Sequence, residues 1–154
     1  MLCNTWFPLN ITPVLGDDNA VSGSRELERV IFCLKGSLTH LHLGDYIWDD
    51  ILIYIAEICK ELEVVQLYSK KITDGSISHL LKRAEHLSAL DVSGCSEFNG
   101  LALTEVDTDT FKATKLKWCQ LNLTGHEMAM ARERLQVLVP NCQIILDTKR
   151  NFVI

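Results

Sequence analysis

The chain has 154 residues, of which 47% are hydrophobic and 23% are charged, and its formal net charge is −5. This composition is typical of one globular domain with a buried core and excludes a disordered tail. Lys and Arg show no clustered excess, which excludes the basic face that nucleic-acid binding requires. No apolar run approaches the roughly 20 residues that cross a bilayer. We therefore expect a single domain over residues 1–154 that neither binds nucleic acid nor inserts into a membrane.

One apolar pattern, L-x-x-L-x-L with apolar substitutes, recurs along the chain. In chain order its apolar positions are Trp6/Leu9/Ile11, Leu38/Leu41/Leu43, Leu62/Val65/Leu67, Leu87/Leu90/Val92 and Leu116/Cys119/Leu121. The repeats start near residues 6, 38, 62, 87 and 116, at intervals of 32, 24, 25 and 29 residues, and an insertion at Gly16–Ser24 lengthens the first interval. Intervals of about 20–29 residues are typical of leucine-rich repeats.

Within each repeat the last two apolar positions are two residues apart, the spacing that places side chains on one face of a strand. The pattern predicts strands at about Leu9–Thr12, His40–Leu43, Val64–Tyr68, Ala89–Ser93 and Trp118–Asn122. Residues 142–146 are expected to form a closing strand, with Cys142, Ile144 and Leu146 facing the core. No room for a capping helix exists before Trp6, which raises the expectation that the chain is a segment of something longer.

After each strand the apolar spacing changes to that of an amphipathic helix. The expected buried stripes are Ile77, Leu80, Leu81 and Ala84 in one repeat and Met128, Ala131, Leu135 and Leu138 in another. Thr124 and Glu127 form a capping-box pattern at the start of the second stripe, and Pro140 ends it. A strand and a helix of this size share a core only by stacking on neighbouring repeats. We therefore expect an α/β fold, a right-handed β/α solenoid with a parallel sheet of five or six strands.

The cysteines are widely spaced and show no C-x-x-C pair. They are Cys3, Cys33, Cys59, Cys95, Cys119 and Cys142. Without a basic segment ahead of an apolar one, the N-terminus does not resemble an export signal. We therefore interpret the cysteines as reduced, buried, small hydrophobic residues of an intracellular protein. The expected location is cytoplasmic, with the mitochondrion as the alternative.

Two repeats resemble the cysteine-containing leucine-rich repeat. One runs from Cys59 to Leu67 and is followed by Ile72–Gly75; the other runs from Leu87 to Cys95 and is followed by Phe98–Leu101. The family pattern has a Cys ahead of the first Leu, a second Cys after the strand, and an I-T-D helix start. Here Cys59 supplies the first Cys and Cys95 supplies the second. Residues 139–142 are similar to the way such chains close, and the resemblance covers roughly Leu38 to Leu146.

This resemblance implies a ribonuclease-inhibitor-like solenoid that binds other proteins. The chain looks like the repeat domains of F-box substrate receptors, although no F-box is visible in it, so it is expected to act as a recognition or adaptor module. It is also similar to small mitochondrial repeat proteins of the ATP-synthase coupling-factor s type. The alternative hypothesis is therefore a structural or assembly subunit of a large complex.

Three groups of residues have some of the features of catalytic or metal sites. His40 and His42 share a strand face, but their expected neighbours there, Asn10 and Gln66, are poor zinc ligands. Asp49 and Asp50 precede an apolar helix and are better interpreted as its N-cap. Residues 107–109 lack the rest of a calcium loop and are interpreted as a polar connection. No nucleotide-binding, hydrolase or metalloprotease motif is present, so we predict a protein that is not an enzyme and has no cofactor and no metal.

The outward positions of the strands are the predicted binding site, because repeat proteins bind partners on their concave sheet surface. The candidate protein-binding residues are His40, His42, Val64, Gln66, Tyr68, Asp91, Trp118, Gln120 and Asn122. Trp118 and Tyr68 are the first choices, because exposed aromatic residues are enriched among binding hot spots. The alternative interpretation is that Trp118 only covers a neighbouring strand and that the helical side binds the partner.

Overall fold

The computed structural model describes residues 9–11, 20–45, 47–122 and 125–145, without the side chains of residues 9–11, 20–24 and 125–128. Several sequence predictions fall outside this part of the chain. They concern Cys3, Trp6, Thr12, Thr124 and Leu146, together with the side chain of Glu127.

Short parallel strands form a sheet in which every strand pairs with the next one in the chain. They are β1 (Leu9–Ile11), β2 (His40–Leu43), β3 (Val64–Leu67), β4 (Ala89–Asp91), β5 (Trp118–Gln120) and β6 (Gln143–Ile145). All five pairings are parallel. The predicted strands are confirmed, although β3, β4 and β5 end one or two residues earlier than expected. The α/β class and the parallel sheet are therefore as the two-residue spacing predicts.

A helix follows each of the first five strands. These helices are α1 (Ala20–Leu34), α2 (Asp49–Ile58), α3 (Asp74–Leu81), α4 (Leu101–Thr104) and α5 (Gly125–Leu138). The helices return the chain to the start of the next parallel strand. After the short α4, the connection through residues 105–117 completes this return to β5. Part of the insertion expected at Gly16–Ser24 belongs to α1, which begins at Ala20 and has 15 residues, against 10 in α2 and 8 in α3.

The core lies between the sheet and the helices. On the sheet side its residues come from alternate strand positions, Leu41 and Leu43 in β2 and Val65 and Leu67 in β3, all of which are buried. On the helix side the predicted stripe Ile77, Leu80, Leu81 and Ala84 is entirely buried. The helix ends before the last of these, at Leu81, and Ala84 lies in the following turn with its N–H donating to Leu80 O at 2.9 Å.

Aspartates at the helix starts join successive strand–helix units. The N-cap of α2 is Trp48, so the prediction that Asp49 caps its own helix is wrong. Instead Asp49 accepts hydrogen bonds from the Thr73 N–H at 2.8 Å and the Thr73 hydroxyl at 2.7 Å, and one from Ser76. Asp74 repeats the arrangement one unit later, accepting from the Asn99 N–H at 2.8 Å. Each carboxylate thus organises the helix start of the next unit.

Asp50 is the second residue of α2 rather than its cap. Its Oδ1 accepts the N–H of the adjacent Ile51 at 3.0 Å. Asp107 does behave as part of a polar connection. Its Oδ1 accepts the Asp109 N–H at 3.1 Å, and its backbone carbonyl accepts the Phe111 N–H at 3.0 Å. This turn leads the chain from α4 towards β5.

The described cysteines are all free thiols, as predicted, but Cys33 is exposed on α1 and the expectation that it is buried is wrong. The period of α1 places Cys33 on the outward side, two residues after the buried Ile31. The other four are buried. Cys95 donates to Leu67 O at 3.6 Å, so it links its turn to the strand of the preceding unit rather than bonding within the turn.

Candidate functional site

The outer face of the sheet consists of the strand side chains that alternate with the core residues. The strand register places them in rows that cross the sheet. The first row is His40, Val64, Ala89, Trp118 and Gln143, and the second is His42, Gln66, Asp91, Gln120 and Ile145. A third row consists of residues just beyond the strands, namely Gly44, Tyr68, Ser93 and Asn122. The structure therefore brings all nine predicted site residues to one surface.

Most of these residues are half-buried, but Gln120 is only 2% exposed. The prediction that Gln120 is available for binding is therefore wrong. Its register neighbours on the same face are Asp91 on β4 and Ile145 on β6. The alternation of inward and outward positions along β5 predicts the face on which Gln120 lies and not how far the surrounding residues cover it.

The two histidines have polar partners close by. His42 Nδ1 lies 3.1 Å from Gln66 Oε1, a hydrogen bond that joins β2 to β3 on the outer face. His40 Nδ1 lies 3.0 Å from the hydroxyl of the adjacent Thr39. In the part of the chain that the structure describes, no group of three or more His, Cys, Asp and Glu side chains is arranged to hold a metal ion.

Asp91 stands near the middle of the second row, between Gln66 on β3 and Gln120 on β5. Its Oδ1 accepts the Ser93 N–H at 2.9 Å and the Ser93 hydroxyl at 2.6 Å. These two bonds fix one carboxylate oxygen against the turn that follows β4. Across residues 20–45, 47–122 and 125–145, the ion pairs are those of Glu57 with His79 and with Arg83, so Asp91 takes part in none of them.

The ring of Tyr68 lies against the backbone of Gly94. A Cβ atom added to Gly94 would stand 2.0 Å from Tyr68 Cδ2 and 2.7 Å from its Cγ, a distance that no side chain tolerates. Glycine is thus required here by close approach. Tyr68 as a whole remains 39% exposed, so the residue is accessible while its ring is held against the Gly94 backbone. Gly94 was not foreseen as part of the site; its only sequence signal was its place in the turn before Cys95.

Trp118 is half-buried on β5, and its register partner on β4 is the small Ala89. A large ring beside a small side chain has room to lie over the neighbouring strand. Both sequence interpretations of Trp118 are compatible with the structure, since the residue is neither buried nor fully exposed.

A second exposed aromatic residue, Trp48, lies outside the predicted site. It is the N-cap residue of α2, it is 43% exposed, and the Lys71 ammonium stands 3.4 Å from the centre of its ring. The sequence pattern does not distinguish Trp48, because a single aromatic residue directly before a helix belongs to no recurring spacing. It lies beyond the carboxyl ends of the strands and not on the outer face of the sheet.

Thiol chemistry is disfavoured by the environment of the buried cysteines. Burial raises the pKa of Cys59, Cys95 and Cys142 to about 11 in each case. Burial also raises the pKa of Cys119 well above its ordinary value. Since the thiolate is the nucleophilic form, these four side chains are suited to packing.

No protein-family model and no curated protein matches the sequence. Among solved structures, the tropomodulin C-terminal domain of Caenorhabditis elegans is similar, with a TM-score of 0.58 at 11% sequence identity. The similarity covers 83% of this chain and 84% of that one. At so low an identity it concerns the fold alone, and that fold is leucine-rich-repeat-like.

None of the helices in the described ranges has both the length and the apolar character needed to cross a membrane.

Proposed function

We propose that this chain is a leucine-rich-repeat solenoid, right-handed as in that family, that acts as a non-catalytic protein-interaction module. The partner binds on the outer face of the sheet. The sheet with its strands in chain order, the helix after each of the first five strands, and the similarity to a leucine-rich-repeat-like domain support the architecture. The sequence resemblance to F-box-type repeat domains supports a recognition or adaptor role.

The composition of the outer face is the observation that carries the interaction proposal. Among its described side chains Asp91 is the only carboxylate, and no Lys or Arg is present in the three rows. Two of the remaining residues, Tyr68 and Trp118, are aromatic. Depletion of charge and enrichment in Tyr and Trp are the features that distinguish the centre of a protein interface from the rest of a surface.

The absence of catalysis is part of the proposal. The sequence carries no catalytic motif. The raised pKa of Cys59, Cys95 and Cys142, about 11 in each case, disfavours a nucleophilic thiol. The free state of the described cysteines supports a reducing, intracellular location.

The second candidate is an assembly subunit that uses its helical side. Exposed apolar side chains favour it: Val30 and Phe32 on α1 and Val137 on α5, which is 64% exposed. In that case the contacts lie on the side opposite to the outer face of the sheet.

One experiment compares variants on the two sides. Trp118→Ala removes an aromatic ring from the outer face, and Val137→Ala removes apolar surface from α5. Each tagged variant is used to capture partners from native extract, and the captured proteins are compared by mass spectrometry alongside the melting temperature. The proposal expects Trp118→Ala to lose a partner that Val137→Ala retains, with the fold intact in both. Loss of the partner with Val137→Ala alone supports the assembly subunit instead.

A further inference from the structure

Asp91 is the one carboxylate among the described side chains of the outer face, which include no Lys or Arg. Its neighbours along the second row are the amides Gln66 and Gln120, and the side chain is half-buried. Ser93 occupies Oδ1 with two hydrogen bonds, while Oδ2 accepts none from the described residues. A partly desolvated carboxylate with one oxygen held and the other open is a good acceptor for a cationic donor, because charge-assisted hydrogen bonds are about twice as strong as neutral ones.

The two aromatic residues flank this carboxylate diagonally. Trp118 lies on the next strand and two residues earlier along the strand direction than Asp91; Tyr68 lies on the preceding strand and two residues later. With strands about 4.8 Å apart and about 6.6 Å for two residues, each is about 8 Å from Asp91 between Cα atoms. A Lys or Arg side chain that approaches Asp91 therefore enters a region flanked by two aromatic residues, and aromatic rings attract cations through their π faces.

We propose that the outer face binds a polypeptide segment of the partner that presents a Lys or Arg side chain to Asp91, beside Trp118 and Tyr68. This inference rests on the proposed function and specifies the chemistry of the partner. Charge complementarity selects this occupant, since Asp91 has no ion-pair partner within the described chain and the described side chains of the face include no other carboxylate and no Lys or Arg. The Gln66 amide and the two aromatic residues then contact the neutral part of the segment.

The test uses a displayed library of random dodecapeptides, selected on the intact wild-type chain. The selected peptides are expected to be enriched in Lys or Arg at one position. Their affinity for Asp91→Asn is expected to fall about tenfold or more, the effect of losing one partly desolvated charge-assisted hydrogen bond. Asparagine keeps the shape of the side chain and an oxygen to accept the bonds from Ser93. Glu133→Gln, an exposed site on α5, removes the same charge from the helical side and is expected to leave the affinity unchanged.

A second measurement leaves the protein unaltered, so that it stays informative even where Asp91→Asn lowers the melting temperature. Replacing the enriched basic residue of the peptide by Gln is expected to weaken binding to the wild-type chain about tenfold, and to have little effect on binding to Asp91→Asn.

Three results would overturn the inference. One is a set of selected peptides without an enriched basic residue; another is equal affinity for wild type and Asp91→Asn; the third is an equal loss with Glu133→Gln, which would indicate net charge alone. In each case the proposed function stands where Trp118→Ala still abolishes binding of the selected peptides. Peptides that bind Trp118→Ala, Tyr68→Ala and Asp91→Asn as well as wild type would overturn both the inference and the outer-face site.

Discussion

The two faces of the sheet carry adjacent rows with opposite chemistry. The inner row is Leu41, Val65, Leu90 and Cys119, all buried, and the outer row one position later is His42, Gln66, Asp91 and Gln120. Burial of apolar surface, at about 25 cal/mol per Å², acts almost entirely on the first row. Hydrogen bonds between partly solvated groups dominate the second, and each contributes about 1 kcal/mol net. The stability of the fold therefore depends on the inner face, and the outer face retains freedom to specify a partner.

The largest effect is expected from Leu90, which lies 1% exposed in the middle of the inner row. Leu90→Ala removes a buried side chain between β3 and β5 and leaves a cavity that the packed neighbours fill incompletely. The free energy of unfolding should fall by about 2–5 kcal/mol, measured by urea denaturation. A loss below about half a kcal/mol would show that Leu90 is not part of a packed core.

A matched pair on β3 controls this result. Val65 is fully buried on the inner face, and Val64, the adjacent residue, is half-buried on the outer face. The same Val→Ala change should cost about 2 kcal/mol at Val65 and less than half of that at Val64. Equal losses at the two positions would contradict the contrast between the faces.

The next effect concerns Gly94, whose backbone is in close contact with the Tyr68 ring. Gly94→Ala forces a Cβ into the ring of Tyr68, so the free energy of unfolding should fall by about 1–3 kcal/mol. Gly36→Ala is the control, because nothing lies within 4 Å of the added Cβ there. In a Tyr68→Ala background the Gly94→Ala cost should largely disappear. An undiminished cost in that background would place the strain in the backbone of Gly94 instead.

The spacing of apolar residues along the chain predicts the elements whose formation depends on that spacing alone. The strands around Leu41 and Leu90 follow from the two-residue spacing, since only one register buries their leucines. The role of Asp49 cannot be predicted from local spacing. Its carboxylate accepts hydrogen bonds from residues 24 and 27 positions later, in the next unit. The enclosure of Gln120 and the packing of Tyr68 on Gly94 likewise depend on how units stack. Sequence reasoning therefore located the outer face of the sheet and not the exposure of each residue on it.

Asp49 gives a smaller effect that depends on pH. Burial raises its pKa, but hydrogen bonds from Ser76 and Thr73 outweigh burial and hold the pKa below the ordinary value of 3.8. The carboxylate therefore contributes stability above that pH, and the contribution is lost as the pH falls through the lower folded-state pKa. Asp49→Asn should cost about 1 kcal/mol at pH 7, after allowance for solvent screening. The difference from wild type should shrink in the acid range.

Asp50→Asn is the matched control for this change, since it removes the same charge from the next residue of α2 and leaves the link to Thr73 and Ser76 intact. Unfolding curves at neutral and acid pH for the three proteins separate the two contributions. A loss with Asp49→Asn that stays constant as the pH is lowered would mean that its hydrogen bonds do not depend on the charge.

The smallest effect is expected from the bond between His42 and Gln66, which lie 3.1 Å apart on the outer face. A double-mutant cycle with His42→Ala and Gln66→Ala should give a coupling energy of about half a kcal/mol, the usual size for a partly solvated cross-strand pair. Both imidazole and amide find hydrogen bonds to water when the pair is broken, so little net free energy is lost. For the same reason the proposed partner would lose little free energy by replacing the bond between His42 and Gln66 with hydrogen bonds of its own. A coupling above about 2 kcal/mol would make this pair part of the scaffold and would move the binding surface towards Asp91 and Trp118.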